Sequence, residues 1–275
     1  MTGKLFIVGT PIGNLDDITI RAIEVLNNCD YILAESSVRT SKLLNKYSIK
    51  KKIITFNKDN EKRKVKNIIS DLSSGKDIAL LSDAGTPSIS DPGFEILRHF
   101  DNRFITIPIP GPSALTSSLS VSPIPTNNFI FLGFLPRKNS EIDNKIKLVK
   151  NLGIPAVLFE NKRRVNALLE RINNICGDDV QICFFRELTK IHEEIQYGKI
   201  KDIIKRSKES DYNGEFTIIF KSENKKKPEI EELSEKVKQL SKSFSNKEII
   251  DILSLFSNHS KKELYKFVLN IRQKT

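Results

Sequence analysis

Residues Ser82 to Gly93, SDAGTPSISDPG, follow directly on the apolar run Ile78 to Leu81 and decide how this chain is organised. The loop holds two glycines, two prolines, two aspartates and four hydroxyl-bearing side chains, so the backbone turns sharply where a strand ends. Gly85 and Gly93 permit positive φ and the close approach of a ligand, whereas the two prolines stiffen the loop. The pattern predicts a ligand-holding turn at the end of a buried strand.

Strand and helix signals alternate on both sides of this loop. Apolar, β-rich runs are separated by segments whose apolar residues recur at helical spacing, as at Ile18, Ala22 and Val25. This alternation predicts βαβ units and a mainly parallel sheet, in which ligands bind beyond the carboxyl ends of the strands. The strands predicted in this first half are Leu5 to Val8, Tyr31 to Ala34, Lys52 to Phe56, Ile78 to Leu81 and Phe104 to Ile109.

A second α/β region follows Pro123 and Pro125, with a more mixed sheet and fewer helices between its strands. Its predicted strands are Phe129 to Phe134, Ala156 to Phe159, Val180 to Phe185 and Phe216 to Phe220. Lys221 to Pro228, KSENKKKP, is predicted to be a charged linker. Beyond it the pattern is helical, with amphipathic stretches at Ile249 to Phe256 and Leu264 to Ile271. The predicted domains are residues 1–122, 123–222 and 229–275.

The composition is that of a soluble globular protein, with 39% apolar and 29% charged residues among 275. No apolar run approaches a membrane span, and the N-terminal run is broken too early by Gly9 and Pro11 for a signal peptide. Three cysteines without CxxC spacing and three scattered histidines favour a cytoplasmic protein without disulfides or metal. The net charge of +11 favours an anionic partner such as nucleic acid, although a composition shaped by an AT-rich genome gives the same charge.

Three loops rich in glycine and proline each follow a strand: VGTPIGNL (Val8 to Leu15), SDAGTPSISDPG and IPGPSALTSS (Ile109 to Ser118). They fit neither a P-loop nor a dinucleotide fingerprint, because the GK[ST] ending and any GxGxxG are missing. The third loop opens a helix, with Pro112 near its first turn and Ser113 able to cap it. Three such loops at one sheet edge predict a small polar ligand held largely by backbone groups.

The loops and further motifs together resemble a known family. TPIGNLDDITIRAIEVL, SDAGTPSISDPG, PGPSA, GFLPRK, RELTK and GEF, in this order, are similar to the tetrapyrrole methylase superfamily. Within it they resemble the small-subunit ribosomal RNA 2′-O-methyltransferase I family, over nearly the whole chain. The resemblance implies two α/β domains with S-adenosylmethionine in the cleft between them, a C-terminal helical extension and a homodimer. It also implies methyl transfer to a cytidine ribose 2′-hydroxyl in 16S ribosomal RNA of the small ribosomal subunit.

The resemblance implies site residues as well. The implied cofactor-binding residues are Gly85, Thr86, Pro87, Ile89, Ser113, Ala114 and Phe159. The implied substrate-side residues are Thr10, Pro11, Gly13, Asn14, Glu160 and Arg164. A ribose hydroxyl is a weak nucleophile, so a base or a cation that stabilises the alkoxide should help, and no metal is needed. Catalytic candidates are Glu35, Arg186, Glu187 and Lys190, for each of which a surface ion pair explains the residue equally well.

Three segments depart from the family pattern. In AESSVR, Ser36 replaces an acid of the family pattern, and the arginine comes one position late, at Arg39. NKDNE (Asn57 to Glu61) lacks the two histidines that the pattern has there. FENKRR has Lys162 and Arg163 where the pattern has proline and histidine. We expect these departures, including Val38 at the position of the family's arginine, to concern the substrate side or the cleft rim. They would then leave cofactor binding intact and bear on which substrate is modified. Two alternatives remain open: methylation of a tetrapyrrole precursor, and a non-catalytic RNA-binding or ribosome-assembly protein. Against the first, the loop sequences are those of the RNA-methylating branch.

Overall fold

The computed structural model describes residues 2–101, 103–209, 213–222, 230–257 and 259–273, apart from the side chains of Glu209 and Phe256. It has two five-stranded sheets, each covered by helices, followed by a helical segment. This is the mixed α/β architecture that the sequence predicts. The division into domains at residues 122 and 222 stays a prediction.

The first sheet is entirely parallel, as predicted, with the strand order β3-β2-β4-β1-β5. Its strands are β1 (Lys4–Val8), β2 (Tyr31–Ala34), β3 (Ile53–Thr55), β4 (Ile78–Leu81) and β5 (Ile105–Ile109). Every residue of β2 and β4 is buried, which is why these strands are continuous apolar runs rather than alternating ones. In the register, Val8 is paired with both Leu81 and Ile109, so the three loops that follow β1, β4 and β5 leave the sheet side by side.

Helices bury both faces of this sheet. One face, with Ile32 and Leu81, packs on α1 and α2, and the other, with Leu33 and Leu80, packs on α3 and α4. The helices of this half are α1 (Ile20–Asn28), α2 (Ser37–Lys46), α3 (Glu61–Ser73), α4 (Phe94–Leu97) and α5 (Ala114–Ser120). Because β-strand side chains alternate between faces, each buried strand contributes to both cores.

The second sheet is mixed, as predicted, with the order β6-β7-β10-β8-β9 and one parallel pair, β6 with β7. Its strands are β6 (Ile130–Phe134), β7 (Ala156–Asn161), β8 (Gln181–Arg186), β9 (Glu194–Lys199) and β10 (Glu215–Lys221), and its helices are α6 (Asn139–Leu152), α7 (Lys162–Cys176) and α8 (Ile200–Glu209). Strand β9, EIQYGK, is not predicted from the sequence pattern, because this edge strand has no apolar run. It alternates between partly buried and exposed positions.

Helix α5 of the first half packs against the second sheet. Leu115 and Leu119 contact a core face that includes Val157, Phe185 and Ile219, whereas the opposite face of this sheet is covered by α6, α7 and α8. The loop that precedes α5 is therefore held between the two sheets, at the place where a cleft between them would open.

The C-terminal segment is helical, as predicted, and builds its own core from residues such as Leu233, Ile249 and Leu264. It contains α9 (Ser234–Leu240), α10 (Asn246–Phe256) and α11 (Lys261–Gln273), one helix more than the two predicted amphipathic stretches. The predicted linker, Lys221 to Pro228, lies outside the described residues from position 223 onward, as does the side chain of Phe256. No helix in the described part of the chain is long and apolar enough to cross a membrane.

Candidate functional site

The three glycine-rich loops meet at the carboxyl edge of the first sheet, as the sequence predicts. The Thr10 amide donates to the Gly85 carbonyl at 2.9 Å, and the Gly85 amide donates to the Thr10 carbonyl at 3.0 Å. The first and third loops touch at Gly9 and Gly111, where a Cβ on Gly9 would lie 2.8 Å from the Gly111 Cα. Backbone contact this close requires glycine on both sides.

The loop Ser82 to Gly93 holds an unusual backbone conformation. Gly85 has φ +79°, and Ser88 and Ser90 each have φ +70°, a region that side-chain-bearing residues rarely adopt. Such strain concentrates at ligand-binding sites, because the surrounding structure must enforce it. The loop also reaches the second sheet, since a Cβ on Gly133 of β6 would lie 2.8 Å from the Ser90 Oγ.

A cavity of about 280 Å³ opens between this loop, the start of α5 and the second sheet; we call it the main cleft. It is lined by residues of both halves: Ile12, Glu35, Arg39, Asp83, Ala84, Gly85, Thr86, Ile89, Ser90, Asp91, Ser113, Ala114, Leu115, Phe134, Phe159, Glu160, Leu188, Lys190, Glu215, Phe216 and Thr217. The size approaches that of small-molecule sites, and the walls combine aromatic surface with a few converging polar groups, as such sites do.

Six of the seven predicted cofactor residues line the main cleft: Gly85, Thr86, Ile89, Ser113, Ala114 and Phe159. Pro87 does not line it. Ser113 is at the N-cap of α5, but its hydroxyl accepts no hydrogen bond from that helix, so the predicted capping bond is not made. The roles of all seven residues stay predictions.

A second cavity of about 290 Å³ adjoins the main cleft; we call it the side cavity. Thr10, Pro11 and Gly13 of the predicted substrate side line it. The two cavities share the residues that separate them: Ile12, Arg39, Asp83, Ala84, Lys190 and Glu215. Asn14 lies further out, where its amide hydrogen bonds the Thr189 hydroxyl at 3.1 Å.

Two ion pairs lie at the junction of the cavities, one from each half of the chain. An Arg39 guanidinium nitrogen is 3.1 Å from the Asp83 carboxylate, and the Lys190 Nζ is 2.9 Å from the Glu215 carboxylate. Asp83 also accepts a hydrogen bond from the Ser36 amide at 2.9 Å. Both pairs therefore place opposite charges where a reaction between ligands in the two cavities would occur.

Among the predicted catalytic residues, Glu35 and Lys190 line the main cleft, whereas Glu187 and Arg186 do not. Glu187 instead supports Lys190: its Oε1 accepts from the Lys190 Nζ at 2.9 Å and from the Glu215 amide at 2.8 Å. Arg186 donates to the backbone carbonyls of Asn213 and His192 and to the Glu194 carboxylate.

Their hydrogen-bond partners and ion pairs decide the protonation states of Lys190 and Glu187. Burial lowers the pKa of Lys190, but the hydrogen bonds to Glu187 and Glu215 outweigh it, so the pKa lies above its ordinary value. Burial raises the pKa of Glu187, and the bonds from Lys190 and the Glu215 amide reverse that effect and hold it below its ordinary value. Lys190 is therefore a persistent cation at the junction.

Of the two predicted substrate-side residues on the second sheet's side, Glu160 lines the main cleft and Arg164 does not. Glu160 is 2% exposed, and burial raises its pKa. Its Oε1 accepts from the Asn161 amide, whereas its Oε2 accepts no hydrogen bond from the described residues and has the Arg164 guanidinium at 3.3 Å. Arg164 itself donates to the Leu135 and Pro136 carbonyls and does not line the cleft.

The sequence reading did not select Arg39, Asp83 or Asp91, which the structure brings to the main cleft. Burial and the neighbouring Glu35 raise the pKa of Asp91 to about 6, and burial and Asp83 raise that of Glu35. Asp83 and Asp91 could have been selected from the sequence, because both lie in the predicted ligand-holding loop Ser82 to Gly93. Arg39 had a signal as well, because it stands one position after the arginine of the family pattern, but its place in the main cleft depends on how α2 packs.

No group of three or more potential metal-ligating side chains is found among the residues that the structure describes. The expectation of a metal-free site stays a prediction.

Comparisons with known proteins agree on the family. The model described as Tetrapyrrole (Corrin/Porphyrin) Methylases matches residues 4–204. The chain is 45% identical over 221 residues to a Thermotoga maritima protein, covering 79% of this chain and 97% of the relative. It is 36% identical over 272 residues to a Bacillus subtilis protein, covering 96% and 93%. Both relatives are named Ribosomal RNA small subunit methyltransferase I.

Two solved structures share the fold. A cobalt precorrin-4 methyltransferase has a TM-score of 0.58 at 16% identity, and a Thermus thermophilus uroporphyrin-III-C-methyltransferase has 0.52 at 17%. Each comparison covers 79% of this chain and 94% of the other. At this identity they bear on the fold alone. From the matched model and the curated relatives, the chain belongs to the tetrapyrrole methylase family and, within it, to the ribosomal RNA small subunit methyltransferase I family.

Proposed function

We propose that this protein transfers a methyl group from S-adenosylmethionine to the 2′-hydroxyl of a cytidine in small-subunit ribosomal RNA. The observation that carries the proposal is the pair of adjoining cavities, which offers separate places for a donor and an acceptor on either side of a charged junction. The substrate class is supported by relatives at 36% to 45% identity that are named for this RNA.

The residues of the main cleft fit S-adenosylmethionine. Phe134 and Phe159 provide aromatic surface for a planar base, with their ring centroids 5.7 Å apart. Asp91 suits a ligand that carries positive charge, because its carboxyl group lines this cleft. The Glu160 Oε2, buried without a hydrogen bond from the described residues, is positioned to accept one from a ligand. Gly85, Thr86 and Ile89 would hold the ligand from the loop side.

The protein's contribution to such a transfer is mainly positioning and electrostatics. Bound S-adenosylmethionine supplies a methyl group activated by a sulfonium. Holding two reactants in near-attack geometry is worth up to about 7 to 11 kcal/mol, which a pair of adjoining cavities is suited to provide. The ribose hydroxyl must also lose its proton, so a base and a stabilising cation should lie near the junction.

Lys190 suits the role of the cation. Because Glu187 and Glu215 raise its pKa, Lys190 stays protonated and stabilises a developing alkoxide instead of taking a proton. Glu35 suits the role of the base, since burial and Asp83 raise its pKa and a higher pKa makes a carboxylate a better proton acceptor. Glu187 contributes indirectly, because its carboxylate holds Lys190 in place. Arg186 lies outside the cleft, where its hydrogen bonds to Asn213, His192 and Glu194 hold together the ends of β8, β9 and β10.

Neither alternative is favoured by a specific observation. The tetrapyrrole-methylating enzymes are similar at 16% to 17% identity, which bears on the fold only, whereas the relatives named for ribosomal RNA reach 45%. A purely RNA-binding protein would not need a main cleft with a strained loop and converging carboxylates.

The decisive experiment uses small ribosomal subunits from cells that lack this gene. Incubation with the protein and labelled S-adenosylmethionine should place one methyl group on a cytidine ribose, mapped by nuclease digestion and mass spectrometry. Large subunits serve as the control and should stay unlabelled. A methyl group on a base, or no label while calorimetry shows that the cofactor binds, would overturn the proposal.

The proposal extends to assembly and location. We expect a homodimer in the cytoplasm, with the division at residues 122 and 222 separating two α/β domains and the helical extension. Light scattering of the full chain tests the dimer, and limited proteolysis near residues 122 and 222 tests the division.

A further inference from the structure

A groove leads outward from the junction of the two cavities. The side cavity continues into a wider, open depression lined by Gly13, Asn14, Leu15, Lys46, Thr189, Lys190, Ile191 and His192, and the two share Gly13, Leu15 and Lys190. We call the side cavity and this depression together the α2 groove, because helix α2 forms one bank along its length.

The bank formed by α2 is basic. Arg39, Lys42 and Lys46 occur at spacings of three and four residues, so they project on one face of the helix. They span about 10 Å along the axis at a rise of about 1.5 Å per residue. All three line the α2 groove, and α2 contains no acidic residue. A row of cations at this spacing is suited to successive phosphates of one extended strand.

The three cations differ in their partners. Arg39 is paired with Asp83 at 3.1 Å, and Lys46 is paired with Asp16. Lys42 has no ion pair or hydrogen bond from its side chain to any residue that the structure describes, although it lines the side cavity. Lys42 is thus the cation that can contact a bound polyanion without first breaking a protein contact.

We propose that the α2 groove binds a single-stranded RNA segment next to the modified nucleotide, with Lys42 contacting a backbone phosphate. The inference rests on the proposed function, because it takes the acceptor ribose to lie at the junction. A side cavity of about 290 Å³ has room for one nucleoside and none for a duplex. The flanking strand must therefore leave along the groove, and single-stranded RNA is the form that side chains can reach in this way.

Lys66 provides a matched control for Lys42. Each is the sixth residue of its helix, each is exposed, and neither has an ion pair among the described residues. Lys66 lies on α3 and lines none of the described cavities. Lys42→Gln and Lys66→Gln therefore remove the same charge from similar helical positions, one inside the groove and one outside it.

The first experiment measures binding of a fluorescent 12-nucleotide single-stranded RNA of mixed sequence by anisotropy, using the full chain at several KCl concentrations. Losing one phosphate contact should reduce the slope of log affinity against log salt by about 0.7 in Lys42→Gln. The Lys66→Gln slope should equal that of the wild type. Equal slopes for all three proteins, or no binding by the wild type, would overturn the inference.

The second experiment separates this inference from the proposed function. With unmodified small subunits, Lys42→Gln should raise KM several-fold while leaving kcat and the Kd for S-adenosylmethionine unchanged. If the wild type methylates subunits and Lys42→Gln behaves like Lys66→Gln, the groove assignment is wrong and the proposed function stands. If the salt slope depends on Lys42 but no methyl group is transferred, the proposed function is wrong, and what stands is that the α2 groove binds single-stranded RNA through Lys42.

Discussion

The main chains of Gly9 and Gly111 are in direct contact where the first and third loops leave the first sheet. A Cβ on Gly9 would lie 2.8 Å from both the Cα and the amide nitrogen of Gly111, and a Cβ on Gly111 would lie 2.7 Å from the Gly9 carbonyl oxygen. Because β1 and β5 are neighbouring parallel strands that end together at Val8 and Ile109, the two loops have no room to separate. This contact fixes the loop that carries Ser113 relative to the rest of the main cleft.

Gly9→Ala should therefore destabilise the protein. The added methyl group meets backbone atoms, which cannot rotate away, so overpacking should cost about 1 to 3 kcal/mol. Urea unfolding monitored by circular dichroism measures the loss. Gly111→Ala should cause a similar loss by the same collision, and an unchanged midpoint for both variants would show that the loops separate easily.

Gly85→Val should weaken cofactor binding at least tenfold. Gly85 has φ +79° in the wall of the main cleft, and a β-branched residue cannot hold this conformation without strain. Calorimetry with S-adenosylmethionine measures the change. Gly177→Val is the matched control, because Gly177 has φ +97° and does not line the main cleft. It caps the end of α7, where a Cβ would have no atom within 4 Å. It should lose stability but keep its affinity, and equal affinity losses would contradict the assignment.

Asp91→Asn should change how stability depends on pH. Burial and Glu35 raise the pKa of Asp91 from 3.8 to about 6, so the fold favours the protonated carboxyl. Its stabilising contribution is complete below pH 3.8 and is lost as pH rises through 6. Relative to the wild type, Asp91→Asn should therefore gain about 1 kcal/mol between pH 4 and pH 7, after allowance for solvent screening. Urea unfolding across this range measures it, and parallel pH profiles would contradict the raised pKa.

Asp91 should also make cofactor binding depend on pH. The carboxylate ionises as pH rises through about 6, and an ionised carboxylate attracts a positively charged ligand. Wild-type affinity for S-adenosylmethionine should increase over this interval, whereas Asp91→Asn should show a flatter profile. Calorimetry at several pH values tests this, and identical profiles would mean that Asp91 does not face the charged part of the ligand.

Lys190→Gln should reduce methyl transfer by a factor of about 100 or more, because the cation at the junction is lost. Lys190→Arg keeps the charge and should retain a larger share of the rate. Single-turnover methylation of unmodified small subunits measures both. Glu187→Gln, which weakens the support of Lys190, should give an intermediate loss and shift the pH profile of the rate. Equal rates for Lys190→Gln and the wild type would exclude Lys190 from the reaction.

The local pattern was enough to predict most of the fold. Strands β2 and β4 are continuous apolar runs, and both are buried on both faces of the sheet. Such runs are typical of a parallel sheet that helices cover on both sides, so they predict this type of sheet. Strand β9 was missed because an edge strand needs no apolar run, since its exposed face is polar. Helix α9 was missed because it is short and lies beside the longer amphipathic helices that form its core.

The candidate site could be predicted in part. The glycines and prolines of the loops report on backbone geometry, which is a local property, so the ligand-holding turn after β4 is predicted from the residues themselves. The placement of Gly85, Thr86 and Ile89 beside a cofactor follows only from the family resemblance. The distinction between Lys190, which lines the cleft, and Glu187, which supports it, could not be predicted. Both residues belong to the RELTK segment. Their side chains take different directions because the backbone turns at Glu187, where φ is +51°. A glutamate rarely adopts this conformation, so the sequence does not indicate the turn.

The two α/β halves, the strand ends and the ligand-holding loops are encoded locally, because apolar periodicity and turn-forming residues act between near neighbours in the chain. Which charges meet at the junction of the two cavities depends instead on how the chain packs. Arg39 meets Asp83 where the neighbouring strands β2 and β4 end, and Lys190 meets Glu215 where β8 ends beside the start of β10. These pairs form because burial of the apolar faces fixes the strand order, and the strand order brings together residues that are distant in the chain. The loop Ser82 to Gly93 forms a wall of the cleft, but its chemistry depends on residues that reach it from elsewhere.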